Sequence, residues 1–316
     1  MNNKTNNNEL SIGIDIGGTN TVFGLVNIHG VCISQDKIKT SDFPNVQDFV
    51  NFVSLKIKKL ISQIPSSYIK GMGIGAPNGN FYSGTIDFAP NLKWNGVIPL
   101  VKLFSKHFEI PIILTNDANA AAMGEHIYGA AKGIDDFVMV TLGTGLGSGF
   151  IVKGEMVYGH DGFAGELGHT IIEINGRTCG CGRNGCLETY ASASGIVITA
   201  KELIEAGYQT SLSSLSEITS KSISEAAKRG DEISLKVFDM TAEKLGFALA
   251  NTVAITSPKL IVLFGGLAQS RDLIVKPTQE YMEHYLLDIY KNKVKIVTSQ
   301  LKGSHAAILG ASSLVW

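Results

Sequence analysis

The sequence lacks the features of a membrane, secreted or nucleic-acid-binding protein. Its charges nearly cancel, with 27 Lys and Arg against 28 Asp and Glu, and no basic run stands out. No apolar run approaches the roughly 20 residues that span a bilayer, and the polar N-terminus lacks the apolar core of a signal peptide. We therefore expect a cytoplasmic protein that takes neither nucleic acid nor a membrane as a partner.

Cysteine is scarce, with four residues in 316, yet three of the four fall between residues 179 and 186. Thiols stay reduced in the cytoplasm, so a disulfide is a poor explanation for this cluster. One imidazole and three thiolates make a complete tetrahedral set for structural zinc. The candidate ligands are His169, Cys179, Cys181 and Cys186. We predict that zinc folds this loop, residues 169–186; the alternative is a set of reduced cysteines that are close only by chance.

Two common nucleotide-binding motifs are missing or out of context. The P-loop pattern GxxxxGK[ST] does not occur. The pattern GxGxxG occurs at residues 180–185, inside the cysteine cluster and with no strand before it, so we treat this match as coincidence. Residues 71–76 match the looser GxGxxA, but Pro77 follows where a phosphate-binding helix would begin. A Rossmann dehydrogenase is therefore disfavoured.

Glycine is abundant instead, with 35 residues gathered in short clusters after apolar runs. Two clusters, DIGGTN at 15–20 and LGTGLG at 142–147, stand at equivalent places in two halves of the chain. Glycine lets backbone amides reach a phosphate, and a threonine hydroxyl adds a donor. One interpretation makes both ordinary hairpin turns; as a pair they suit a clamp on a polyphosphate from both sides. The candidate residues are Gly17, Gly18, Thr19 and Asn20 in the first turn, and Gly143, Thr144 and Gly145 in the second.

Hydrophobic periodicity predicts an α/β protein in which a strand meander recurs. Strands are predicted at 10–17, 21–28, 31–40, 69–77, 111–117, 137–159 (three strands), 259–266 and 294–300, and helices at 46–64, 99–108, 117–132, 189–206, 222–229, 232–256 and 305–314. The repeated order indicates two α/β domains that face each other across a cleft. We place the boundary near residue 118, within or beside the alanine-rich helix.

Asp117 stands where a predicted strand ends and the alanine-rich helix begins. An aspartate there is a good N-cap, and capping alone is one interpretation. A helix N-terminus also favours the carboxylate form, so we expect Asp117 to stay ionised and to accept a proton from a bound alcohol. Phosphoryl transfer needs such a carboxylate together with phosphate donors and a metal ion. Asp15, at the end of the first strand, is placed to hold Mg²⁺ directly or through water.

Four motifs, taken together, resemble those of the ROK family, whose name covers repressors, open reading frames and sugar kinases. They are DIGGTN at 15–20, NDAN at 116–119, GELGH at 165–169 and CxCGxxGCxE at 179–188. Their order and spacing extend the resemblance over nearly the whole chain from residue 10 onward. The cysteine motif with its preceding GELGH is highly specific, whereas the first motif also occurs in other sugar kinases and in actin-like ATPases.

The resemblance implies the actin-like ATPase (ribonuclease H-like) fold, with a duplicated β-meander and helix unit and an active site in the cleft between the domains. The small domain would be residues 1–118 joined by a C-terminal helix, 301–316, and the large domain residues 119–300 with the zinc loop. Asp117 would be the catalytic base, with ATP, Mg²⁺ and structural zinc as cofactors. Implied sugar contacts are Asn91, Asn116, Asp117, Glu166, His169 and Glu188, and Gly265 and Gly266 would lie near the adenosine. Family members are commonly homodimers.

The activity that this resemblance implies is ATP-dependent phosphorylation of a hexose at its 6-hydroxyl, with glucose the favoured substrate. Mannose, fructose, allose, N-acetylmannosamine and N-acetylglucosamine stay open as substrates. The N-acetylated sugars need room near C2, and no pattern shows whether the site has it. A noncatalytic sugar-binding protein and a sugar-responsive repressor also stay open as functions. Family repressors carry a helix-turn-helix domain before the kinase-like part, and about nine polar residues precede the first strand here.

Two segments depart from the family pattern. The turn GAPNG at 75–79 replaces the more usual GxPGPVD, and Leu301, Lys302 and Gly303 stand where many members carry Leu-Gly. The first departure leaves the sugar contacts of that turn open.

Overall fold

The structure is a computed structural model that describes residues 9–64, 68–301 and 305–316. It is a mixed α/β protein, as the sequence predicts. The described strands are Glu9–Ile16 (β1), Asn20–Asn27 (β2), Cys32–Lys39 (β3), Tyr68–Gly75 (β4), Gly79–Asn80 (β5), Thr85–Asp87 (β6), Val97–Ile98 (β7), Ile112–Thr115 (β8), Phe137–Leu142 (β9), Leu146–Val152 (β10), Glu155–Met156 (β11), Leu260–Phe264 (β12) and Lys295–Thr298 (β13). The described α-helices are Val46–Ser62 (α1), Leu100–Phe104 (α2), Asp117–Tyr128 (α3), Glu188–Ala191 (α4), Ala193–Glu205 (α5), Ser220–Lys228 (α6), Glu232–Thr256 (α7), Val275–Tyr285 (α8) and Ala306–Ser313 (α9). Within these ranges, no helix is both long and apolar enough to cross a membrane.

The chain forms two compact units. Unit 1 comprises Met1–Gly133, Met156–Ala164 and Gln300–Trp316, and unit 2 comprises Ile134–Glu155 and Gly165–Ser299. The boundary predicted near residue 118 falls inside α3, all of which lies in unit 1, together with α9. Lys302 and Gly303, in the second segment that departs from the family pattern, lie outside the described residues.

The sheet of unit 1 has the strand order β3-β2-β1-β4-β8. β1 runs antiparallel to β2 and parallel to β4, and β4 runs parallel to β8. The carboxyl ends of β1, β4 and β8 therefore meet at one edge of the sheet, which is where ligands bind in open α/β sheets. On one face of the sheet, α9 approaches so closely that a Cβ on Gly73 would collide with the carbonyl oxygen of Ala311.

The sheet of unit 2 repeats this arrangement. Its order is β11-β10-β9-β12-β13, with β9 antiparallel to β10 and parallel to β12, and β12 parallel to β13. The long helix α7 shares one hydrophobic core with this sheet and contributes fully buried side chains such as Phe238, Leu245 and Leu249. The recurrence confirms the predicted duplication of a β-meander followed by helices and further strands.

Three details of the sequence prediction are wrong. The helix predicted at 99–108 ends at Phe104, after which the amides of His107 and Phe108 both donate to its carbonyl oxygen in a tight turn. The helix predicted at 189–206 breaks at Ser192, which has an extended backbone and accepts the Gly195 amide as the N-cap of α5. Strands β5, β6 and β7, which form a small third sheet, were not predicted because two or three residues show no periodicity.

Candidate active site

The first residue of α3 is Asp117, and the residue that caps this helix is Asn116. Asn116 has an extended backbone, and its Oδ1 accepts the amide of Asn119 at 2.7 Å. The prediction that Asp117 is the N-cap is therefore wrong by one residue, because the preceding amide side chain fills that place. The carboxylate of Asp117 accepts the neighbouring Ala118 amide at 2.9 Å through Oδ1. Helix capping alone thus does not account for an aspartate at this position.

Asp15 lies beside Asp117, separated by a glycine. Asp15 pairs with Gly75 across β1 and β4, and Gly75 pairs with Thr115, two residues before Asp117. A Cβ placed on Gly75 would lie 3.6 Å from both Asp15 Oδ1 and Asp117 Cα. The strand register thus brings the two predicted acidic residues together.

Burial changes the acidity of both carboxyl groups. It raises the pKa of Asp15 to about 7, and the negative charge of Asp117 adds to this rise. Asp117 is exposed to solvent on one side, but desolvation by the protein around it also raises its pKa. The hydrogen bond from Ala118 lowers the pKa and only partly offsets this effect. The sequence led us to expect that the helix N-terminus would dominate; desolvation outweighs it.

The turn between β1 and β2 carries the first set of predicted phosphate-binding residues. It is closed by the Gly17 amide, which donates to the Asn20 carbonyl oxygen at 2.9 Å, and Thr19 is exposed at its tip. Gly18 packs on the backbone of Asn91, with which any Cβ would collide. A predicted phosphate turn and a predicted sugar contact therefore touch directly in unit 1.

The turn between β9 and β10 carries the second set. The Gly143 amide donates to the Gly145 carbonyl oxygen at 3.1 Å, and the Gly143 carbonyl oxygen accepts the Ala193 amide at 2.8 Å. Gly265 follows β12 at the same edge of the sheet, with a φ of 103°. A Cβ on Gly265 would come within 2.6 Å of the Leu142 carbonyl oxygen, so Gly265 lies directly against the start of the turn.

The four predicted zinc ligands converge in unit 2. Their ligand atoms all lie within 4.8 Å of one another. Cys179 Sγ is 3.7 Å from His169 Nδ1, and Cys181 Sγ is 3.7 Å from Cys186 Sγ. Zinc–sulfur bonds of about 2.3 Å in a tetrahedron place sulfur atoms about 3.8 Å apart, so the cysteine spacing fits this metal. All three cysteines are free thiols, and hydrogen bonds from Arg183 lower the pKa of Cys181 to about 6.

The segment GELGH, which supplies His169, is held on β10. The Leu167 amide donates to Ser148 Oγ at 3.1 Å, and Ser148 Oγ donates to the Gly165 carbonyl oxygen. Gly168 lies on the Leu146 backbone so closely that a Cβ would collide with its carbonyl oxygen. Glu166 is exposed on this segment. Only a glycine therefore fits at position 168, where the backbone of this segment lies against the first residue of β10.

Glu188 contacts both the second glycine turn and the cysteine cluster. Its Oε2 accepts the Leu146 amide at 2.9 Å, and its Oε1 lies 3.6 Å from Cys179 Sγ. The side chain is half-buried. The sequence singled out Glu188 as a sugar contact and gave no sign of the hydrogen bond to Leu146, which joins residues far apart in the chain.

Arg177 is a supporting residue that the sequence analysis missed. Its guanidinium donates to the Thr189 carbonyl oxygen at 2.7 Å and to Thr199 Oγ1 at 2.9 Å, and it pairs with Glu202. It also stacks over Tyr190, 4.5 Å from the ring centroid. These contacts fasten the start of the cysteine loop to α4 and α5. An arginine two residues before a cysteine carries no motif signal, so only the fold reveals its role.

Comparison with known proteins identifies the family. The family model described as ROK family matches residues 11–316. The chain belongs to the ROK family. Its relatives there include glucokinases and xylose repressors.

Three relatives illustrate this range. A glucokinase of Halalkalibacterium halodurans is 33% identical, with 96% of this chain and 94% of that protein covered. A xylose repressor of Caldicellulosiruptor bescii is 31% identical over 96% of this chain and 77% of its own length. A crystal structure of a ROK family glucokinase from Streptomyces griseus in complex with glucose and AMPPNP superimposes with a TM-score of 0.78 and 33% identity, covering 96% of this chain and 98% of that one. The chain has the actin-like ATPase fold of these ROK sugar kinases.

The predicted site residues fall into one group in each unit. Unit 1 holds Asp15, Gly17, Gly18, Thr19, Asn20, Asn91, Asn116 and Asp117, and unit 2 holds Gly143, Thr144, Gly145, Glu166, His169, Cys179, Cys181, Cys186, Glu188, Gly265 and Gly266. Within each unit, a glycine turn lies against a predicted sugar contact.

Proposed function

We propose that the protein is an ATP-dependent hexose kinase that phosphorylates glucose at its 6-hydroxyl. Two bacterial glucokinases match nearly the whole chain at 32% and 33% identity, which supports kinase activity on a sugar. The Streptomyces griseus structure holds glucose and an ATP analogue, which supports these two substrates for a chain of the same fold.

The observation that carries the proposal is the placement of Asp117. Its carboxylate stands at the start of α3, the cap of that helix is supplied by Asn116, and Asp15 lies close by. A carboxylate with a raised pKa is a stronger base than an ordinary aspartate and remains able to take up a proton. Asp117 would accept the proton of the sugar hydroxyl as its oxygen attacks the γ-phosphorus of ATP and the bond to ADP breaks.

Asp15 and the two glycine turns would serve the phosphates. Asp15 is a half-buried carboxyl group beside a second acid, Asp117. Ionising both groups is unfavourable because two carboxylates repel each other unless a cation is present. Mg²⁺ fits this donor set, and when bound it would neutralise charge on the phosphate oxygens. The amides of the Gly17–Asn20 and Gly143–Gly145 turns, with the hydroxyls of Thr19 and Thr144, would donate to the phosphates.

The cysteine loop would hold structural zinc through His169, Cys179, Cys181 and Cys186. Because Nδ1 of His169 faces Cys179 Sγ, Nε2 is the ring nitrogen left to reach a sugar hydroxyl. Asn91, Asn116, Glu166 and Glu188 would supply further hydrogen bonds to a polyhydroxylated substrate. The metal would thereby fix the loop that carries His169 and that Glu166 and Glu188 flank.

Two competing functions keep the fold and change the ligand or the output. A kinase for another hexose or an N-acetylated hexosamine would use the same base and the same turns. The similarity to the Caldicellulosiruptor bescii repressor over 96% of this chain also keeps open a protein that senses a sugar without phosphorylating it.

A sugar panel tests the proposal. Purified protein with Mg·ATP is assayed for ADP release with glucose, mannose, fructose, allose, N-acetylglucosamine and N-acetylmannosamine, and the product is located by ³¹P NMR. We expect glucose 6-phosphate, with the highest kcat/KM for glucose. Preference for another sugar would correct the substrate alone, whereas tight sugar binding with no ADP release on any sugar would favour the sensing role.

A further inference from the structure

The second glycine of each turn lies directly against a residue that the proposed function assigns to the sugar. In unit 1 a Cβ on Gly18 would collide with the backbone of Asn91, and in unit 2 a Cβ on Gly145 would collide with Oε2 of Glu188. The two contacts lie in corresponding turns of the duplicated sheet, the turn after β1 and the turn after β9, although Gly18 stands two residues past its strand and Gly145 three. In both units, the glycine turn thus touches a proposed sugar contact.

In unit 2 the contact is reinforced by hydrogen bonds. The Leu146 amide, directly after the turn, donates to Glu188 Oε2 at 2.9 Å, and the Ala193 amide donates to the Gly143 carbonyl oxygen at 2.8 Å. Leu146 is 4% exposed, so its amide reaches little water if the carboxylate is removed. A buried amide without an acceptor is unfavourable, and the turn would rearrange to satisfy it.

We infer that Glu188 is a positioning residue for the phosphate turn Gly143–Gly145 as well as a sugar contact, and that Gly145 is conversely a determinant of sugar affinity. The inference rests on the proposed function for the two ligand classes, a hexose and a nucleoside triphosphate. One carboxylate then links the two binding events within unit 2. If one ligand displaces the carboxylate, the turn that binds the other ligand changes as well. The affinities for the two ligands are then linked by a coupling free energy.

A methyl group at position 145 would weaken sugar binding by displacing the carboxylate of Glu188. The obstacle to that methyl is the end of a flexible glutamate side chain, so Gly145→Ala moves the carboxylate without breaking the backbone packing. The hydrogen bond that holds Glu188 on the turn goes to Leu146, not to Thr144. Thr144→Ala in the same turn is therefore a matched control that removes a predicted phosphate donor and leaves Glu188 in place.

The test measures each ligand in the absence of the other, by isothermal titration calorimetry of the metal-loaded full-length protein. We expect Gly145→Ala to weaken glucose binding about tenfold and Thr144→Ala to leave it within about twofold. We expect Glu188→Ala to weaken Mg·AMPPNP binding about tenfold, and Glu188→Gln, whose amide oxygen can still accept the Leu146 amide, to stay within about threefold. Unchanged Mg·AMPPNP affinity in Glu188→Ala overturns the inference, as does unchanged glucose affinity in Gly145→Ala.

The nucleotide titrations separate this inference from the proposed function. They involve no sugar, so they remain decisive if the physiological sugar is not glucose or if the protein does not turn over. They also need only the two Glu188 variants, so they hold if Gly145→Ala fails to fold.

Discussion

Asp15 and Asp117 lie close together because β1 and β8 pair with opposite edges of β4. Gly75 of β4 pairs with Asp15 on one side and with Thr115, two residues before Asp117, on the other. No side chain separates the two acids, so the half-buried Asp15 lies near the like charge of Asp117. Desolvation and this neighbour raise the pKa of Asp15 to about 7. Such an arrangement lowers the stability of the folded protein near neutral pH and is typical of sites that bind a cation or move a proton.

The substitution Asp15→Asn tests whether this carboxyl group lowers the stability of the folded protein near neutral pH. A carboxyl whose pKa is raised on folding stabilises the protein only while it is protonated, so that contribution is lost as pH rises from about 4 through about 7. We expect Asp15→Asn to be more stable than the natural protein at pH 8, by about 1–2 kcal/mol, with little difference at pH 4. Urea unfolding without divalent cations at both pH values measures this. A variant that is less stable at pH 8 contradicts the account.

Gly75 is the residue whose role is easiest to isolate. A methyl there comes within 3.1 Å of Ala120 Cβ and 3.6 Å of Asp15 Oδ1, so strand and helix must move apart slightly. We expect Gly75→Ala to fold and to lose about tenfold in kcat, because small misplacements of catalytic groups are costly. The double variant with Ala120→Gly removes the tightest contact and should recover part of that loss. Equal kcat in the single variant and the natural protein would exclude a spacing role.

At the scale of elements, the loop 169–186 links the predicted zinc ligands to the rest of unit 2. Arg177, in the middle of the loop, fastens it to α4 and α5, and Glu188, the first residue of α4, contacts the second glycine turn. The loop has few apolar side chains of its own, so ligand bonds to a metal would supply the missing folding free energy.

Removing one ligand tests the metal. We expect one zinc per chain by elemental analysis of the natural protein, and loss of that zinc in Cys181→Ser with a fall in glucose affinity of at least about tenfold. Cys32→Ser is the matched control, because Cys32 is a free thiol in β3 of unit 1 and is not one of the predicted ligands. Full metal content in Cys181→Ser, or loss of metal in Cys32→Ser, would show that the ligand set is wrong.

The sequence predicted elements well where the chain supplied several turns or alternations. α1 follows the predicted helix because Phe49, Val53 and Ile57 recur on one face and Asn45 caps its start. The break at Ser192 and the strands β5–β7 were missed, since tertiary hydrogen bonds and very short pairings decide them. The linear sequence likewise revealed the cluster of predicted zinc ligands. It did not reveal the hydrogen bond from the Leu146 amide to Glu188, which depends on how α4 packs against the turn.

At the scale of the whole molecule, duplication is the feature that the sequence and the structure share most clearly. Both sheets have the same order and the same mixture of antiparallel and parallel pairs, and both carry a glycine turn after the first strand. The equivalent turns differ in what surrounds them: two carboxylates and α3 in unit 1, and a cysteine loop in unit 2. A repeated scaffold with different additions thus accounts for how one chain would supply both a base and a rigid sugar-binding loop.

The central claim is that Asp117 acts as the general base of a sugar kinase. The most direct measurement is kcat of Asp117→Asn with saturating glucose and Mg·ATP, together with the affinity of the variant for each ligand. An asparagine retains an acceptor for the Ala118 amide, so the helix start should be preserved. We predict a fall in kcat on the order of 10² or more, with both affinities within a few-fold of the natural protein. Turnover near the natural rate would contradict the claim.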